Sequence, residues 1–542
     1  MREDTNATGS NLPRLPRDVQ TFRELREEGC VYIDKTGYLA RMIDNGSFYF
    51  LSRPRKFGKS LLMSALAALF AGRRELFEGL DAEEFFDRPG YAACPVVQLD
   101  MSQVVKDGGP AEMVSSMVRL IREAGMAHGV EIPEGLSPGG ALGSLIDGIS
   151  RLRGPVVVLV DAADSPILDV AHLDNAAGSA RDILREFLSS VKTHSGSLRF
   201  VLISGVSKLS KTNIFADFKP MRDISSDDDY ADMLGFTDEE LERGFSAHID
   251  AAAGARGESR DELISRIRNY YRGFSFDGAS RLYNPYSVLC FLSEGKFGNY
   301  WFDLGSQTVL SEHVRKNDVF TDIFRGIVVP SDFVTSSEIE SQDVVRFLLQ
   351  SGYLSVREKN GDSFTLDYSN KEVLSSMAHI IHHIKLKDHR ASVKGTLLEK
   401  SIEQGRTEDL VRYFNLVMAT IPQDVLVRAE RKYSTRHENA AVTFYHAALF
   451  SLLWSSRLDT FIEGYSYRDQ SGVTVENNGR RYIIELRVED GDEACARSAE
   501  DAMSAIRSRG RPEGCRPGAV TALAMALDRT VRRVDRYILE MI

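Results

Sequence analysis

The chain has 542 residues, which exceeds what a single hydrophobic core supports and predicts about two to four domains. Its 43% hydrophobic and 27% charged residues are typical of a soluble globular protein, and the net charge of −11 excludes a globally basic nucleic-acid-binding protein. Five scattered cysteines form no C-x-x-C pair, which argues against a zinc site or disulfide scaffold and favours a cytoplasmic location. No apolar run approaches the ~18 residues of a membrane span.

Residues 1–20 lack the apolar segment of a signal peptide and are expected to form a flexible tail. The aromatic run Phe48–Leu51 has the length of a strand, and Pro54 and Gly58 in the following segment favour a turn. From Lys59 to Phe70 apolar residues recur at helical spacing. A strand, a glycine-containing loop and a helix beginning with Lys-Ser are typical of a phosphate-binding loop.

In such a loop, the amide groups at the helix start and the lysine bind the phosphates of a nucleotide, and the serine hydroxyl binds Mg²⁺. The expected ligands are therefore ATP and magnesium. The predicted nucleotide-binding residues of this segment are Arg53, Pro54, Arg55, Lys56, Phe57, Gly58, Lys59 and Ser60.

Three further apolar runs, residues 95–100, 155–161 and 199–205, alternate with helical patterns and predict a parallel α/β sheet. Asp161 ends the second of these runs, where a P-loop fold places a magnesium-binding carboxylate. Ser204, near the end of the third, is a candidate polar sensor beside the γ-phosphate. Magnesium is thus expected to bind at Ser60 and Asp161.

The segment RPRKFGKSLL, together with Tyr32–Thr36, resembles sequences of a bacterial AAA-ATPase-like family that carries a C-terminal PD-(D/E)XK nuclease-like domain. In that family an Arg-Pro-Arg segment commonly replaces the first glycine of the phosphate loop. The resemblance covers residues 20 to about 530 and implies a P-loop AAA-like domain, a helical lid, a helical and winged linker, and a restriction-endonuclease-like α/β domain. Members of this family are suspected of acting on nucleic acid, for example in defence against foreign DNA.

The resemblance also shows where this chain departs from the family. The glutamate that would polarise the attacking water is replaced by Ala162 in the sequence Asp161-Ala162-Ala163-Asp164. Loss of such a group typically costs on the order of 10²–10⁴ in rate, so we expect Mg-ATP binding with little hydrolysis. Asp164 is the nearest spare carboxylate, but its spacing from Asp161 predicts that it points elsewhere.

Between the two predicted domains, aromatic-rich segments over residues 231–334 are expected to form the core of the helical lid.

Lys208, Lys211 and Arg222, which precede the lid, are candidate phosphate contacts, each of which could equally be solvated surface. Over residues 335–370 a helix precedes two strands around the turn 358–362, a pattern that resembles a winged helix and suits either DNA contact or an interdomain spacer.

The nuclease-like domain is predicted from residue 436 onward, in the order αβββαβ. Glu485 occupies the position of the family's metal-binding glutamate, whereas Gly472 replaces the aspartate and Arg487 replaces the lysine. One carboxylate does not make a magnesium site, although Glu476 or Asp469 could substitute by a shift of register. Ala505 falls at the family's glutamine. A basic edge of arginines between residues 507 and 536 could hold a phosphate backbone or be a mixed solvated surface.

The predicted domains are residues 1–20 (tail), 21–230 (AAA-like), 231–334 (lid), 335–435 (linker) and 436–542 (nuclease-like). Three functions remain open: a nucleotide-regulated module that binds nucleic acid or protein, a working ATPase coupled to a nucleic-acid transaction or defence system, and a metal-dependent nuclease. A homo-oligomer is possible for an AAA-type site, and no membrane contact is expected.

Overall fold

The computed structural model describes residues 12–104, 109–168, 174–206, 220–301, 310–311, 327–330, 333, 344–384, 391–423, 425, 427, 440–456, 458–462, 473–477, 480–509 and 520–542. The chain divides into two compact units, residues 1–309 with 328–372, and residues 310–327 with 373–542. Each unit is described by itself.

The first unit is built on a parallel sheet in the order β2-β3-β4-β1-β5. Its strands are β1 (Phe48–Ser52), β2 (Val96–Asp100), β3 (Val156–Asp161), β4 (Leu198–Gly205) and β5 (Arg222–Asp223). The described neighbours all pair in parallel, so the predicted parallel α/β sheet is confirmed. Every residue of β3 except Asp161 is buried, which explains why this segment is a continuous apolar run.

Two helices precede the first strand of this sheet, and five more lie between its strands in the chain. They are α1 (Phe22–Glu27), α2 (Thr36–Asn45), α3 (Lys59–Phe70), α4 (Gly109–His128), α5 (Pro138–Arg153), α6 (Ser165–Leu168) and α7 (Asp174–Thr193). Apolar side chains of α4, α5 and α7 form one core with strands β1 to β4. Residues Arg74–Phe77 and Glu83–Asp87 form short 3-10 turns.

A second core of the first unit joins the helices that follow β5. These are α8 (Asp238–Gly244), α9 (Ser246–Arg256), α10 (Arg260–Tyr271) and α11 (Pro285–Glu294), with the short strands β6 (Arg272–Phe274) and β7 (Leu282–Tyr283) between the last two. Their buried aromatic residues, Tyr270, Tyr271 and Phe291 among them, pack with one another. The expectation that these aromatic residues build a core agrees with this packing.

The predicted helix and hairpin are present, but the turn is shorter than expected. Strands β8 (Ile327–Pro330), β9 (Leu354–Asn360) and β10 (Ser363–Tyr368) form a sheet in the order β8-β10-β9, and α12 (Val344–Gln350) precedes the hairpin. Because Asn360 pairs with Ser363, only Gly361 and Asp362 form the turn, and Gly361 adopts the φ of 58° that glycine tolerates. The predicted turn over 358–362 is therefore wrong at its N-terminal end, since residues 358–360 belong to β9.

The second unit combines helices with a five-stranded sheet in the order β11-β12-β13-β14-β15. Helices α13 (Lys371–Ile384, which begins at the boundary), α14 (Ala391–Glu403), α15 (Asp409–Thr420) and α16 (Ala440–Ser455) come first. Strands β11 (Asp459–Ile462), β12 (Val473–Asn477), β13 (Arg480–Glu489), β14 (Val520–Asp528) and β15 (Arg533–Met541) follow, with α17 (Asp492–Arg509) between β13 and β14.

Strands β13 and β14 are parallel, whereas the other neighbouring strands of this sheet are antiparallel. A parallel pair needs a crossover connection, and α17 lies in that connection. The strand β15 is missing from the predicted order αβββαβ, because its alternating charged residues resemble a surface segment.

Candidate functional site

A cavity of about 780 Å³ opens at the carboxyl ends of β1, β3 and β4. Parallel strands place their carboxyl ends at one edge of a sheet, where α/β proteins commonly bind ligands. The lining residues come from residues 16–20, 25, 31–39, 55–65, 100–102, 161–165, 206, 233–236, 245, 285–289 and 301. The predicted phosphate loop and the acidic end of β3 therefore face the same cavity.

The loop between β1 and α3 places the start of α3 at this cavity. Gly58 is the N-cap of α3 with a φ of 97°, a conformation that L side chains rarely adopt. Lys56 also has a positive φ, of 59°. The turn made by these residues exposes the first amide groups of a twelve-residue helix, and such a helix start attracts anions.

Lys59 is buried beside this helix start and bonds to its own loop. Its amine donates to the carbonyl oxygens of Arg53 and Pro54, both at 2.9 Å. Burial lowers the pKa of Lys59 to about 8, and the negative charges of Asp161 and Asp164 partly oppose this decrease. The amine is thus poised next to the loop, with two acidic groups close enough to affect its charge.

Asp161 collects three hydrogen bonds at the end of β3. The Ser60 hydroxyl donates to Oδ2 at 2.5 Å, the Ser204 hydroxyl donates to Oδ1 at 2.5 Å, and the Ala162 amide donates to Oδ1 at 2.9 Å. The structure brings together Ser60, Asp161 and Ser204 from α3, β3 and β4. Hydroxyl and carboxylate oxygens are hard donors of the kind that Mg²⁺ prefers, so this donor set fits that ion.

The residues after Asp161 differ in part from the expectation. Ala162 has a φ of 51°, an uncommon conformation for a non-glycine residue, and offers only a methyl group. The prediction that Asp164 points elsewhere is wrong in one respect: Asp164 lines the cavity and its charge acts on Lys59. Asp164 is 1% exposed, and Oδ2 accepts a hydrogen bond of 2.9 Å from the Val206 amide, which fixes the carboxylate against the end of β4.

Asp100 is an acidic residue that the sequence reasoning missed. It ends β2 and lies in register with Asp161 on the neighbouring strand β3. Asp100 lines the cavity and accepts hydrogen bonds from the Ser102 amide and the Gln103 side chain at 2.9 and 3.3 Å. The signal was available, because the run 95–100 also ends in a carboxylate.

Arg53 does not present its side chain to the cavity. The guanidinium donates to the carbonyl oxygens of Ser52, Ser225 and Tyr230 at 3.0, 2.5 and 3.1 Å, and it lies 4.0 Å from the ring centroid of Phe276. Burial lowers the pKa of Arg53 to about 10, so the side chain remains charged at neutral pH. The side chain of Arg53 is thus committed to holding the loop against β5 and the following turn.

The other loop residues divide between the cavity and the core. Arg55 and Lys56 line the cavity, and the Lys56 amine lies 5.1 Å from the ring centroid of Tyr286. The ring of Phe57 also reaches the cavity and packs edge-on against two further phenylalanines. Pro54 is buried and lies against Gly352, away from the cavity lining.

Two of the candidate phosphate contacts cannot be placed. Lys208 and Lys211 lie outside the described residues. Arg222 stands on β5 and forms an ion pair of 2.6 Å with Asp227. The geometry therefore gives Arg222 a local structural partner.

In the second unit, Glu485 lies in the middle of β13 and is buried. Its Oε1 forms an ion pair of 2.5 Å with Arg487 on the same strand. Gly472 and Asp469 lie outside the described residues, and Glu476 is on β12. Ala505 lies on α17. Within the described parts of the chain, no group of three or more His, Cys, Asp or Glu side chains is arranged to hold a metal ion.

Four arginines of the predicted basic edge form ion pairs with acidic residues; Arg532, which is also described, has no ion pair with a described residue. Arg529 pairs with Asp490 and Arg507 with Glu540. Arg533 pairs with Asp535 at 2.8 Å, and Arg536 with Asp492 at 2.5 Å. This arrangement favours the mixed, solvated surface over a continuous phosphate-binding edge. Arg511 and Arg516 lie outside the described residues, and nothing is described of the Arg509 side chain.

Comparisons with known proteins find a family match in part of the first unit. Residues 16–215 match the model of a family described as "Predicted AAA-ATPase". A protein of Azotobacter chroococcum mcd 1, described as "Uncharacterized protein in vnfD 5′ region", is 29% identical over 483 residues, which cover 88% of this chain and 89% of that protein. The likeness to this relative therefore extends through both units.

Solved structures with some likeness include Cdc6p from Pyrobaculum aerophilum, which is 14% identical with a TM-score of 0.26 and covers 70% of this chain and 97% of that chain. The ORC2 protein of Aeropyrum pernix is 11% identical with a TM-score of 0.27, over 64% of this chain and 92% of that chain. At TM-scores this low, the superpositions carry no argument about this chain.

The helices were also compared with what a bilayer requires. Among the described residues, none forms a helix of the length and apolar character needed to cross a membrane.

Proposed function

We propose that the first unit binds ATP with Mg²⁺ and hydrolyses it slowly, so that the protein acts as a nucleotide-regulated binding module. The observation that carries this proposal is the contact of 2.5 Å between the Ser60 hydroxyl and Asp161 at the start of α3. Two residues 101 positions apart in sequence meet there, beside the buried amine of Lys59. The match of residues 16–215 to an AAA-ATPase family model supports the same reading.

The residues would divide the work as follows. The amide groups at the start of α3 would bind the phosphates, and the Lys59 amine would exchange its two loop carbonyls for phosphate oxygens. Ser60 and Asp161 would hold Mg²⁺, which when bound neutralises charge on the β- and γ-phosphates. Ser204 would keep the Asp161 carboxylate oriented through its hydrogen bond of 2.5 Å. Arg53 would support the loop from behind.

Slow hydrolysis follows from Ala162, because a methyl group neither accepts a proton nor orients water. The test is titration calorimetry of ATP with Mg²⁺ into the intact protein, Lys59→Ala and Lys296→Ala. Lys296 is an exposed lysine outside the cavity and serves as the matched control. We expect micromolar binding to the intact protein and the control, and at least a 100-fold loss in Lys59→Ala. Equal heats for all three proteins, or none for any, would refute the proposal.

A working ATPase is the second candidate, and the carboxylates Asp100 and Asp164 are the observation that favours it. Both line the cavity, so either is a candidate for the water-orienting role that Ala162 cannot fill. Phosphate release should be compared in the intact protein, Asp100→Asn and Asp164→Asn. Turnover that is retained in Lys296→Ala but falls on the order of 100-fold in one of the two variants would assign this role.

For the second unit we propose a nuclease-like fold that has lost its metal chemistry and binds nucleic acid or another protein. The element order α16-β11-β12-β13-α17-β14 and the parallel pair β13–β14 support this fold. The ion pair between Glu485 and Arg487 supports the loss of metal chemistry, since the guanidinium binds the carboxylate oxygen that a metal ion would need. Incubation of the full chain with DNA and Mg²⁺ should leave the DNA intact. Cleavage that disappears in Glu485→Ala would instead establish the nuclease.

We further propose the domain boundaries given by the sequence, with the AAA-like domain at 21–230, the lid at 231–334, the linker at 335–435 and the nuclease-like domain at 436–542. Limited proteolysis with mass spectrometry would check them. Cuts concentrated near residues 335 and 436 are expected, whereas the chain around the buried Tyr230 should be protected; protection at 335 and 436 as well would contradict these boundaries.

A further inference from the structure

Strand β15 forms one edge of the C-terminal sheet, and no other strand in the described part of the chain pairs with its outer side. It has nine residues and carries three exposed large apolar side chains: Tyr537 at 44%, Leu539 at 39% and Met541 at 79%. Natural sheets usually protect an edge by keeping it short or by placing lysine or proline on it. A long edge strand that carries an apolar stripe beside its charged residues is a surface to which another strand can be added.

The backbone of the same three residues also faces outward. The Ile542 amide donates to the Val520 carbonyl at 2.9 Å, which makes residues 542 and 520 a hydrogen-bonded pair. Hydrogen-bonded and non-hydrogen-bonded pairs alternate along an antiparallel ladder, and the register from Thr521↔Met541 to Met525↔Tyr537 is unbroken. The amide and carbonyl groups of Tyr537, Leu539 and Met541 therefore point away from β14.

The start of β15 is closed, which defines the length of the open edge. The Val534 amide donates to the Asn415 side chain at 2.8 Å, and the Asn415 amide donates to the Val534 carbonyl at 2.9 Å. This side chain on α15 takes the place of a neighbouring strand at Val534. The open edge thus runs from about Arg536 to the end of β15.

The apolar stripe on this edge continues the core of the sheet. Leu539 and Tyr537 lie opposite Leu523 and Met525 of β14, and directly opposite residues share a face of the sheet. Leu523 and Met525 are buried in the core formed with the helices α14, α15 and α16. A strand that paired with β15 would therefore extend this apolar face of the sheet beyond Tyr537 and Leu539.

We propose that the open edge of β15 binds the same edge of a second copy of this chain, antiparallel and about a two-fold axis through Ile538. Outward-facing residues can only pair with outward-facing residues, and this register places Tyr537 opposite Leu539 of the second copy. Both symmetry-related pairs are then hydrogen-bonded pairs. The two five-stranded sheets would become one continuous sheet.

Charge complementarity selects this register and this occupant. Arg536 and Glu540 become cross-strand neighbours of the other copy's Glu540 and Arg536, so both ends of the strand pair carry opposite charges. Within one chain, Arg536 already pairs with Asp492 and Glu540 with Arg507. In each half of the dimer interface, charges of alternating sign would follow one another: Asp492 and Arg536 of one copy, then Glu540 and Arg507 of the other. Since one strand pair is a small interface, we expect a concentration-dependent dimer.

The test is sedimentation velocity of the full chain over a range of concentrations. We expect a monomer–dimer equilibrium that is weakened at least tenfold in Arg536→Glu and in Glu540→Arg, and restored in the double variant R536E/E540R. All three variants lose intrachain ion pairs, so restoration in the double variant isolates the contact between copies.

Leu539→Pro tests the backbone separately. The Leu539 amide points away from β14, so proline removes a donor to the second copy without removing a bond of the fold. We expect this variant to stay monomeric. Leu152→Asp, at an exposed apolar position in the other unit, should dimerise as the intact chain does. Circular dichroism checks that each variant is folded.

An intact chain that stays monomeric at all concentrations would overturn the proposal, and the edge would then serve another partner or none. Dimerisation of folded Leu539→Pro and of both single charge variants at the strength of the intact chain would overturn it as well.

Discussion

The two sheets of this protein each carry an acidic residue that the sequence predicts to be a metal ligand (Asp161) or the remnant of one (Glu485), but they surround it differently. Asp161 accepts hydrogen bonds from the Ser60 and Ser204 hydroxyls, which are neutral and can turn toward another ligand. Glu485 is buried against the cationic guanidinium of Arg487. The first carboxylate is available to a cation, whereas the second already has one.

This difference shows that the partners of a carboxylate matter as much as its presence. A hydroxyl supplies a further oxygen ligand to an incoming ion, and an arginine repels it. Asp161 also lies beside the buried amine of Lys59 and the start of α3, which suit an anion. We therefore expect cation-dependent chemistry in the first unit and ion-pair behaviour in the second.

Asp161→Asn should break the first half of this comparison most strongly. The amide has no charge to hold Mg²⁺, and metal-ion stabilisation is worth several kcal/mol. We expect the Mg²⁺-dependent gain in ATP affinity to fall at least 100-fold, while the residual binding without Mg²⁺ stays within about threefold. Calorimetric titrations with and without Mg²⁺ measure both quantities. An unchanged Mg²⁺ dependence would show that Asp161 does not contact the ion.

Arg53→Ala should show that Arg53 stabilises the folded loop and does not contact the nucleotide. The substitution leaves three backbone carbonyls without their buried donor, and each unsatisfied group costs about 1–3 kcal/mol before relaxation. We expect the unfolding free energy of the first unit to fall by about 3 kcal/mol, the lower end of this range, because water can reach part of the loop. Urea unfolding followed by Trp301 fluorescence measures it in a Trp454→Phe background, because these are the two tryptophans of the chain.

Arg55→Ala is the control, since Arg55 lines the cavity and contacts no such set of carbonyls in the described structure. Its unfolding free energy should change by less than about 0.5 kcal/mol. A larger effect for Arg55→Ala than for Arg53→Ala would reverse the assignment.

The sequence predicted the central strands and α3 well, and the physical reason is burial. The runs at Phe48–Ser52 and Val156–Asp161 are apolar because both faces of these strands are covered. The start of α3 follows from Gly58 and the apolar spacing after it. That Lys59, Ser60 and Asp161 bind nucleotide stays a prediction.

The sequence predicted poorly what depends on direction or on the sheet edge. Nothing in the pattern around Arg53 says that its side chain turns inward to backbone carbonyls, since two of the three accepting carbonyls belong to residues 225 and 230, far away in the sequence. Strand β15 was missed because an edge strand is half exposed and interrupted by Asp535, Arg536 and Glu540. Asp100 was overlooked because the end of β2 is not part of any sequence motif considered for the phosphate loop or the magnesium site.

Glu485→Ala should sharpen the second half of the comparison. It leaves the Arg487 charge without its carboxylate, and breaking a buried pair costs about 3–5 kcal/mol. Because the Arg487 side chain is 21% exposed, we expect a smaller loss of about 2 kcal/mol. Urea unfolding of the second unit, followed by Trp454 fluorescence in a Trp301→Phe background, measures this loss. Glu485→Gln keeps the hydrogen bond and should lose less; a stability gain on adding Mg²⁺ to the intact protein would contradict the ion-pair reading.

The pH dependence of ATP binding should give the smallest effect and the most direct test of Lys59. The pKa of Lys59 is lowered from 10.5 to about 8 by burial, so the amine of the nucleotide-free protein loses its proton above pH 8. Phosphate binding needs the charged amine. ATP affinity should therefore be constant below about pH 7 and roughly tenfold weaker at pH 9, since one pH unit above the pKa leaves about a tenth of the amine charged.

The stability of the nucleotide-free protein should move in the opposite direction over the same range. Between pH 8 and 10.5 the unfolded chain still binds the Lys59 proton and the folded chain does not, so this group makes stability rise with pH. Lys59→Arg keeps its charge throughout, and both slopes should flatten in that variant. If affinity falls above pH 8 equally in Lys59→Arg, the titrating group is another one, and the buried amine at the start of α3 is not the phosphate-binding cation.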